Sequence, residues 1–557
     1  MSMVLLLIPA LPALLALGAL SGHLGGRGVP ASVTLTAALA GGFAIVGADP
    51  VHLDWLLLGT TLGLGSTAQA LLGAAAILWT AAAIAARRLF DGDTGPRFGM
   101  CFLLTFAGNL GVIVVQDLAG FYLAFAVMTF AAYGLVVHDE SREAVRAGRI
   151  YLILSIAGEA LLLGGIFMLA AEVGNPAASA IPAAYEELTQ PQVVGGLLLA
   201  GFAVKMGIAP LHVWLPLAHP AAPVPASAVL SGIIVKGGLL GWLQFVPAGD
   251  PALALPGNAL TALGLVSAFG AALIGCFQSR AKTVLAYSTI SQMGLLAVPV
   301  GLLVAGHGDA GLLLPAITLF ALHHALNKGA LFLAMDQIKH GRRAVALITA
   351  LPAIALVGVP VASGLIAKGA VKSALPEPFA LALTLTAITT ALLLIRFLCL
   401  IWPGRNASPR ALEPVPFLIW LVVVLLGQAL PWLYANADDR AYALAPGTLW
   451  DGLWPVAIAV VVAGLASEVL KRWPSLPEGD VVSPVERGLR RLYRGVVRRH
   501  RQLGDRLRPN RERLAALPAH RLPQHIPEPG IPWVGALILV MTLVLALLYG
   551  IPVGVLS

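Results

Sequence analysis

"AVKMGIAPLHVWLPLAHP", residues 203–220, decides the fold of this 557-residue chain. It lies in a sequence that is 58% hydrophobic and 11% charged, with a mean hydropathy of +0.87. Yet it holds Lys205, His212, His219 and three prolines. Proline lacks a backbone donor and clashes with the preceding turn, so Pro210 and Pro216 are expected to break the helix that the flanking apolar residues would form. Freed backbone groups at membrane depth are tolerated only where they line a cavity or find partners on neighbouring helices. A charge there costs at least about 3 kcal/mol on insertion scales and faces a protein interior or a water-filled path. The bland alternative is a lysine that snorkels to the interface. A lysine beside a broken helix favours a polar path within a bundle.

Outward from this stretch, apolar runs of about 20 residues, the length that crosses a bilayer core, recur from residues 3–20 to residues 533–554. We count sixteen, which predicts an all-α polytopic membrane protein. The first run has no basic residue before it and no clear small-residue cleavage site, so it is expected to remain as a helix rather than to act as a signal peptide. Cys101, Cys276 and Cys399 are isolated, which suggests neither a disulfide framework nor a zinc site.

The basic residues sort by loop. Arg87, Arg88 and Arg97, then Arg142, Arg146 and Arg149, then Arg280 and Lys282, then Lys339, Arg342 and Arg343, then Arg405 and Arg410 fall on one side of the membrane, with Arg440 the clear exception opposite. That side is expected to be cytoplasmic, which turns both termini outward from a bacterial inner membrane. The long polar stretch from Lys471 to Arg521 carries fourteen Lys/Arg against five Asp/Glu. Within it Leu489, Leu492, Tyr493, Val496 and Val497 recur at helical spacing among arginines, the pattern of an interfacial amphipathic helix. It is expected to lie on anionic lipid or on a neighbouring subunit, and not on nucleic acid.

Only eight of the 35 basic residues are lysines, and Lys205, Lys236, Lys328 and Lys368 lie inside apolar runs. Lysine, unlike arginine, can give up its proton when desolvated. Four such residues on separate helices, accompanied by His212, His219, His323 and His324, suggest a polar relay. A second interruption, "LVGVPVASGLIAKGAVKS", places Pro360 and Gly364 before Lys368. Paired interrupted spans point to inverted repeats. With Lys205 in the seventh span and Lys368 in the twelfth, the repeat is five helices. The partition is then residues 1–97 (spans 1–3), 98–246 (first repeat), 247–402 (second repeat), 403–470 (spans 14 and 15), 471–532 (the basic segment) and 533–557 (span 16).

The stretches "KMGIAPLHVWLPLAHPAAPVPASAVLSGIIVKGG", "SRAKTVLAYSTISQMGLL" and "HHALNKGALFL" resemble the antiporter-like membrane subunits of respiratory complex I, of multi-subunit cation/proton antiporters and of membrane-bound hydrogenases. The resemblance implies two inverted half-channels joined by an axis of Lys205, Lys236, His324, Lys328 and Lys368. It also implies partner subunits, both membrane and cytoplasmic. The family's fifth-span glutamate is Ala126 here, Leu217 replaces an aspartate, and Phe320 stands where some members have a further histidine. Glu159, mid-span at a depth comparable with that of Lys205, is the candidate replacement for the lost carboxylate. His212, His219, His323, Lys372 and Asp117 are further candidates for relay or entry.

No cysteine cluster, dinucleotide glycine pattern or haem attachment site occurs, so no cofactor or metal is expected in this chain. The expected function is proton, or cation/proton, translocation within a complex I-like or hydrogenase-like assembly, with redox chemistry left to other chains. A membrane subunit for energy-coupled inorganic-carbon uptake is the alternative within transport. A non-conducting scaffold is the alternative of another class.

Overall fold

The computed structural model describes residues 2–404, 409–472 and 476–479. Most of the basic segment and the sixteenth span lie outside the described residues. Thirteen described helices are long and apolar enough to cross a membrane. In chain order the membrane helices are α1 (Leu7–Leu20), α2 (Gly28–Val46), α3 (Ser66–Ala85), α4 (Gly95–Val114), α5 (Leu118–Val136) and α6 (Arg142–Val173). The seventh span is two half-helices, α7 (Pro191–Met206) and α8 (Trp214–Ala221), followed by α9 (Val224–Phe245). Next come α10 (Ala254–Cys276), α11 (Ala281–Val304) and α12 (Ala310–Ile338). The twelfth span is again halved, into α13 (Arg343–Val357) and α14 (Ser363–Ala374), before α15 (Phe379–Ile401), α16 (Pro414–Tyr434) and α17 (Pro446–Arg472).

Both interruptions fall where the sequence places them and contain Pro210 and Pro360, and each begins at a glycine. α7 ends at Gly207, φ +71°. The N–H of Gly207 reaches Val204 O at 3.1 Å and that of Ile208 reaches Ala203 O at 3.0 Å, the paired bonds that close a helix C-terminus. α13 ends likewise at Gly358, φ +95°. Pro216, expected as a breaker, sits in the first turn of α8, where its missing donor costs no helical bond. Gly364 lies inside α14 and is needed for contact, since a Cβ there would collide with Ala355 O.

The two five-helix segments pack alike. α4 lies against α5 and α10 against α11, while α6 touches both halves of one interrupted span and α12 both halves of the other. The α10–α11 seam is built of Gly257, Gly264, Gly294 and Gly301. A Cβ at Gly294 or Gly301 would sit 2.6 Å from a facing backbone oxygen. Small residues let membrane helices approach to backbone contact, where dispersion and polar contacts replace the hydrophobic drive. α11 is wholly buried and forms the centre of the bundle, whereas α17 is mostly exposed at its edge.

Beyond one end of α5 a short antiparallel hairpin, Val51–Leu53 with Thr60–Leu62, is tied down by Asp117. Its carboxylate accepts from Thr61 N (2.9 Å), Gly120 N (2.8 Å) and Asn175 Nδ2 (3.2 Å). Asp117 is therefore committed to capping α5 and fastening this end, and it is not brought to the lysines.

Candidate functional site

Lys205 lies in the last turn of α7, 5% exposed, with its ammonium 5.2 Å from the ring centre of Phe125 and 5.8 Å from that of Tyr151. The partial negative charge of a helix C-terminus favours a cation there. Glu159 on α6, also 5% exposed, lines the same small cavity, of about 10 Å³, together with Thr129, Ser155 and Trp214. That is room for about one water molecule. The hydroxyls of Tyr122 and Thr129 face the carboxyl, and that of Thr129 donates to Phe125 O at 2.7 Å. Tyr122, Ala126 and Thr129 are spaced i, i+4, i+7 on α5 and share one face. Glu159 thus reaches from the neighbouring helix toward the face that carries Ala126.

Past Phe125 the polar groups resume. α9 contains a π-helical turn, Leu230–Ile234. Lys236 Nζ donates to Ser231 O at 3.0 Å and lies 2.5 Å from His324 Nδ1. One partner must offer a lone pair to the other, so the two share a single proton at a time. Lys328, one turn further along α12, donates to Leu285 O on α11 at 2.9 Å. Lys368 on α14 donates to Val357 O, the last carbonyl of α13, at 2.9 Å. One turn beyond it, Lys372 pairs with Asp451 of α17, whose other oxygen accepts from Trp454 Nε1 at 3.3 Å. Lys236, His323, His324 and Lys328 are 0–1% exposed.

The remaining histidines lie nearer the end with the basic loops. His212 is buried in the break between α7 and α8, its ring 6.4 Å from that of Tyr287. His219, at the end of α8, is fully buried and stacks on Phe332 at 4.5 Å, and among the described residues neither ring nitrogen has a hydrogen-bond partner. Next to it opens a 680 Å³ cavity lined by His138, Asp139, Pro220, Ala222, Lys282 and Lys339. Lys282 Nζ closes its floor through Ala222 O, at 2.5 Å. His219 lies within electrostatic reach of both Lys282 and Lys328. At the same end Arg280 joins Glu143 on α6 to Glu478 at the start of the basic segment. Among the described residues no three His, Cys, Asp or Glu side chains gather around one point that could hold a metal ion.

Sequence reasoning missed Ser363, Asn327 and Gln428, which hydrogen-bond around His323, and Asp451. Asn327 sits one turn from His323 in "HALNK", and Gln428 interrupts an otherwise apolar run. Both were visible as polar residues, but not as partners.

What fold and site define together is a multi-pass membrane protein with two interrupted helices and several buried lysines and histidines. Residues 115–393, half of the chain, match the family described as NADH:quinone oxidoreductase/Mrp antiporter, transmembrane region. The chain belongs to that family. It is 26% identical over 263 residues to hydrogenase-4 component B of Escherichia coli (strain K12), covering 45% of this chain and 38% of that protein. It is 29% identical over 287 residues to NADH-quinone oxidoreductase subunit N of Rubrobacter xylanophilus (strain DSM 9941 / JCM 11954 / NBRC 16129 / PRD-1), covering 49% and 59%. The chain therefore spans less than two thirds of the length of these relatives. The solved Mrp complex from Dietzia sp. DQ12-45-1b shares the fold, with a TM-score of 0.72 at 20% identity over 96% of this chain and 66% of that one.

Proposed function

We propose that this chain is the proton-translocating, or cation/proton-translocating, membrane subunit of a larger energy-converting complex. The observation that carries the reading is the set of buried lysines and histidines on separate helices, with Lys236 and His324 2.5 Å apart among them. A relay needs groups that take and release a proton without large motion. Lysines held by backbone carbonyls rather than by fixed carboxylates meet that need. In this reading protons pass along Lys205, Lys236, His324, Lys328 and Lys368. Glu159 is the counter-charge whose approach favours protonated Lys205 and whose withdrawal releases the proton. His212, His219 and His323 extend the path, and Lys372 stands at its far end.

The halves at residues 98–246 and 247–402 act as inverted repeats, supported by their like packing and paired breaks. The chain sits in a bacterial inner membrane with both termini outward, and its basic 471–532 segment lies on the cytoplasmic side against anionic lipid or a neighbouring subunit. Hydrogenase-4 and NADH-quinone oxidoreductase carry their activity in their names; for this chain an assembly of that kind supplies the electrons. Purified complex in sealed vesicles is the test. Lys205→Ala and Lys368→Ala should each abolish substrate-driven proton uptake while assembly persists. Normal pumping by both would leave the chain a scaffold.

A further inference from the structure

His323 and His324 are adjacent on α12 but face different partners. His324 meets Lys236, while His323 Nδ1 lies 3.0 Å from Ser363 Oγ. Ser363 is the first residue of α14, so its N–H is one of the orphan donors of a helix start. That N–H reaches Gln428 Oε1 of α16 at 3.4 Å. Gln428 Nε2 donates to Asn327 Oδ1 at 2.8 Å. Asn327 Nδ2 has four acceptors in range: His323 Nδ1 (3.1 Å), His323 O (2.9 Å), Ser363 Oγ (3.2 Å) and Gly427 O (3.0 Å). An amide has only two N–H bonds, so the network has more arrangements than one.

The hydroxyl of Ser363 has one proton and two acceptors, His323 Nδ1 and Gln428 Oε1, the latter at 3.4 Å. When Nδ1 is bare the hydroxyl donates to it. When Nδ1 carries a proton the imidazole donates to Ser363, and the hydroxyl turns to Gln428. The proton stays on the imidazole and only the direction of the hydrogen bonds reverses. We propose that Ser363 is a hydroxyl switch through which protonation of His323 is felt at the start of the second half-helix, with Asn327 and Gln428 as its positioning residues. α16, which lies outside both five-helix segments, thereby joins the proton-handling machinery. The charged and titratable groups facing His323 are Lys236 from α9, Lys368 from α14 and its own neighbour His324. At this site α16 contributes the neutral amide of Gln428. Against those cations, the acceptor oxygen of Ser363 is the group that favours a protonated ring, through a charge-assisted hydrogen bond.

The inference rests on the translocation reading above, and one set of vesicles separates the two. Whole complex carrying wild type, Ser363→Ala, Ser363→Thr, Gln428→Leu, Lys205→Ala or Lys368→Ala is reconstituted, and initial proton uptake is followed against pH. Ser363→Ala should slow uptake about tenfold, the value of one hydrogen bond to a charged group. It should also move the acid limb of the rate profile about one unit lower, because a tenfold change corresponds to one unit. Gln428→Leu should move the limb the same way, and Ser363→Thr, which keeps the hydroxyl, should restore both rate and limb. Ser363→Cys, a weak donor and acceptor, should shift the limb in the same sense and serves if the alanine variant fails to assemble. Uptake at the wild-type rate by both Lys205→Ala and Lys368→Ala would overturn the translocation reading itself. A silent Lys205→Ala beside a Ser363→Ala variant of wild-type rate and pH profile, or a Ser363→Thr variant no better than alanine, would overturn the switch alone.

Discussion

Lys368 caps Val357: the ammonium on the second half-helix donates, at 2.9 Å, to the last carbonyl of the first. The lysine closes the break from the opposite side to Lys205, which sits at the end of the helix that precedes its own break. A cation at a helix C-terminus is favoured by the partial negative charge of the unsatisfied carbonyls. At the second break the lysine therefore stands where the backbone supplies the attraction that a carboxylate, Glu159, offers Lys205 at the first.

Replacement of Lys368 by Gln keeps a donor for Val357 O but removes the titrating group. Lys368→Gln is expected to assemble as wild type and to lose proton uptake, whereas Lys368→Arg, always charged, should assemble and be equally silent. Uptake assays on reconstituted complex, read beside native gels, check this. Activity in the glutamine variant would make Lys368 a structural cap only.

Glu159→Gln should impair uptake about as severely as Lys205→Ala, since the carboxyl and the ammonium line one cavity and no other carboxylate among the described residues does. Ala126→Glu in that background should recover part of the loss, because Ala126 lies between Tyr122 and Thr129 on the face that Glu159 approaches. A Glu159→Gln complex with wild-type uptake would remove the carboxylate from the path.

Much of this was legible in the sequence. Apolar length marked the spans, and lysines in the wrong solvent marked the line. The breaks were legible, and Pro210 lies within the first of them, but Pro216 falls in the first turn of α8, and Gly207 and Gly358, which end the half-helices, do not stand out among sixty glycines. A glycine that ends a helix in the left-handed conformation can be told from the others only by its place after the last residue of an apolar run, and here the apolar residues continue beyond it. Ser363, Asn327 and Gln428 escaped because their meaning comes from three helices converging, separations of 36 and 101 residues that no local pattern records.

Gly207→Ala is expected to destabilise the assembled protein by more than the strain of about 1–2 kcal/mol for a left-handed L-residue. Its new Cβ would also meet Leu215 Cδ1. Thermal unfolding in detergent should show the loss. Gly196→Ala, which has open space at the same half-helix and no positive φ, should not lower the transition and should raise it slightly, because alanine is the better helix former.

The mouth of the large cavity should respond to acid. Burial holds His138 below the usual histidine range, with Arg97 adding to the effect while Asp139 and Glu140 oppose it. The unfolded chain then binds this proton more readily than the folded one, so stability falls as pH drops below about 6.5 toward the depressed folded value. Replacement by Gln removes that term. The fall in Tm between neutral pH and pH 5 should be shallower in His138→Gln than in wild type, and parallel curves would show that His138 contributes nothing to it.

The glycine seam between α10 and α11 has a mechanical corollary. Two helices in backbone contact along Gly257, Gly264, Gly294 and Gly301 leave no side-chain layer to shear, so the pair moves as one stiff strut through the middle of the bundle. Compliance must then be concentrated elsewhere, and the loops after Gly207 and Gly358, where the helical hydrogen-bond ladder stops, are the soft points. Any stroke the molecule makes is expected to bend there, a turn or less from Lys205 and next to the carbonyl that holds Lys368.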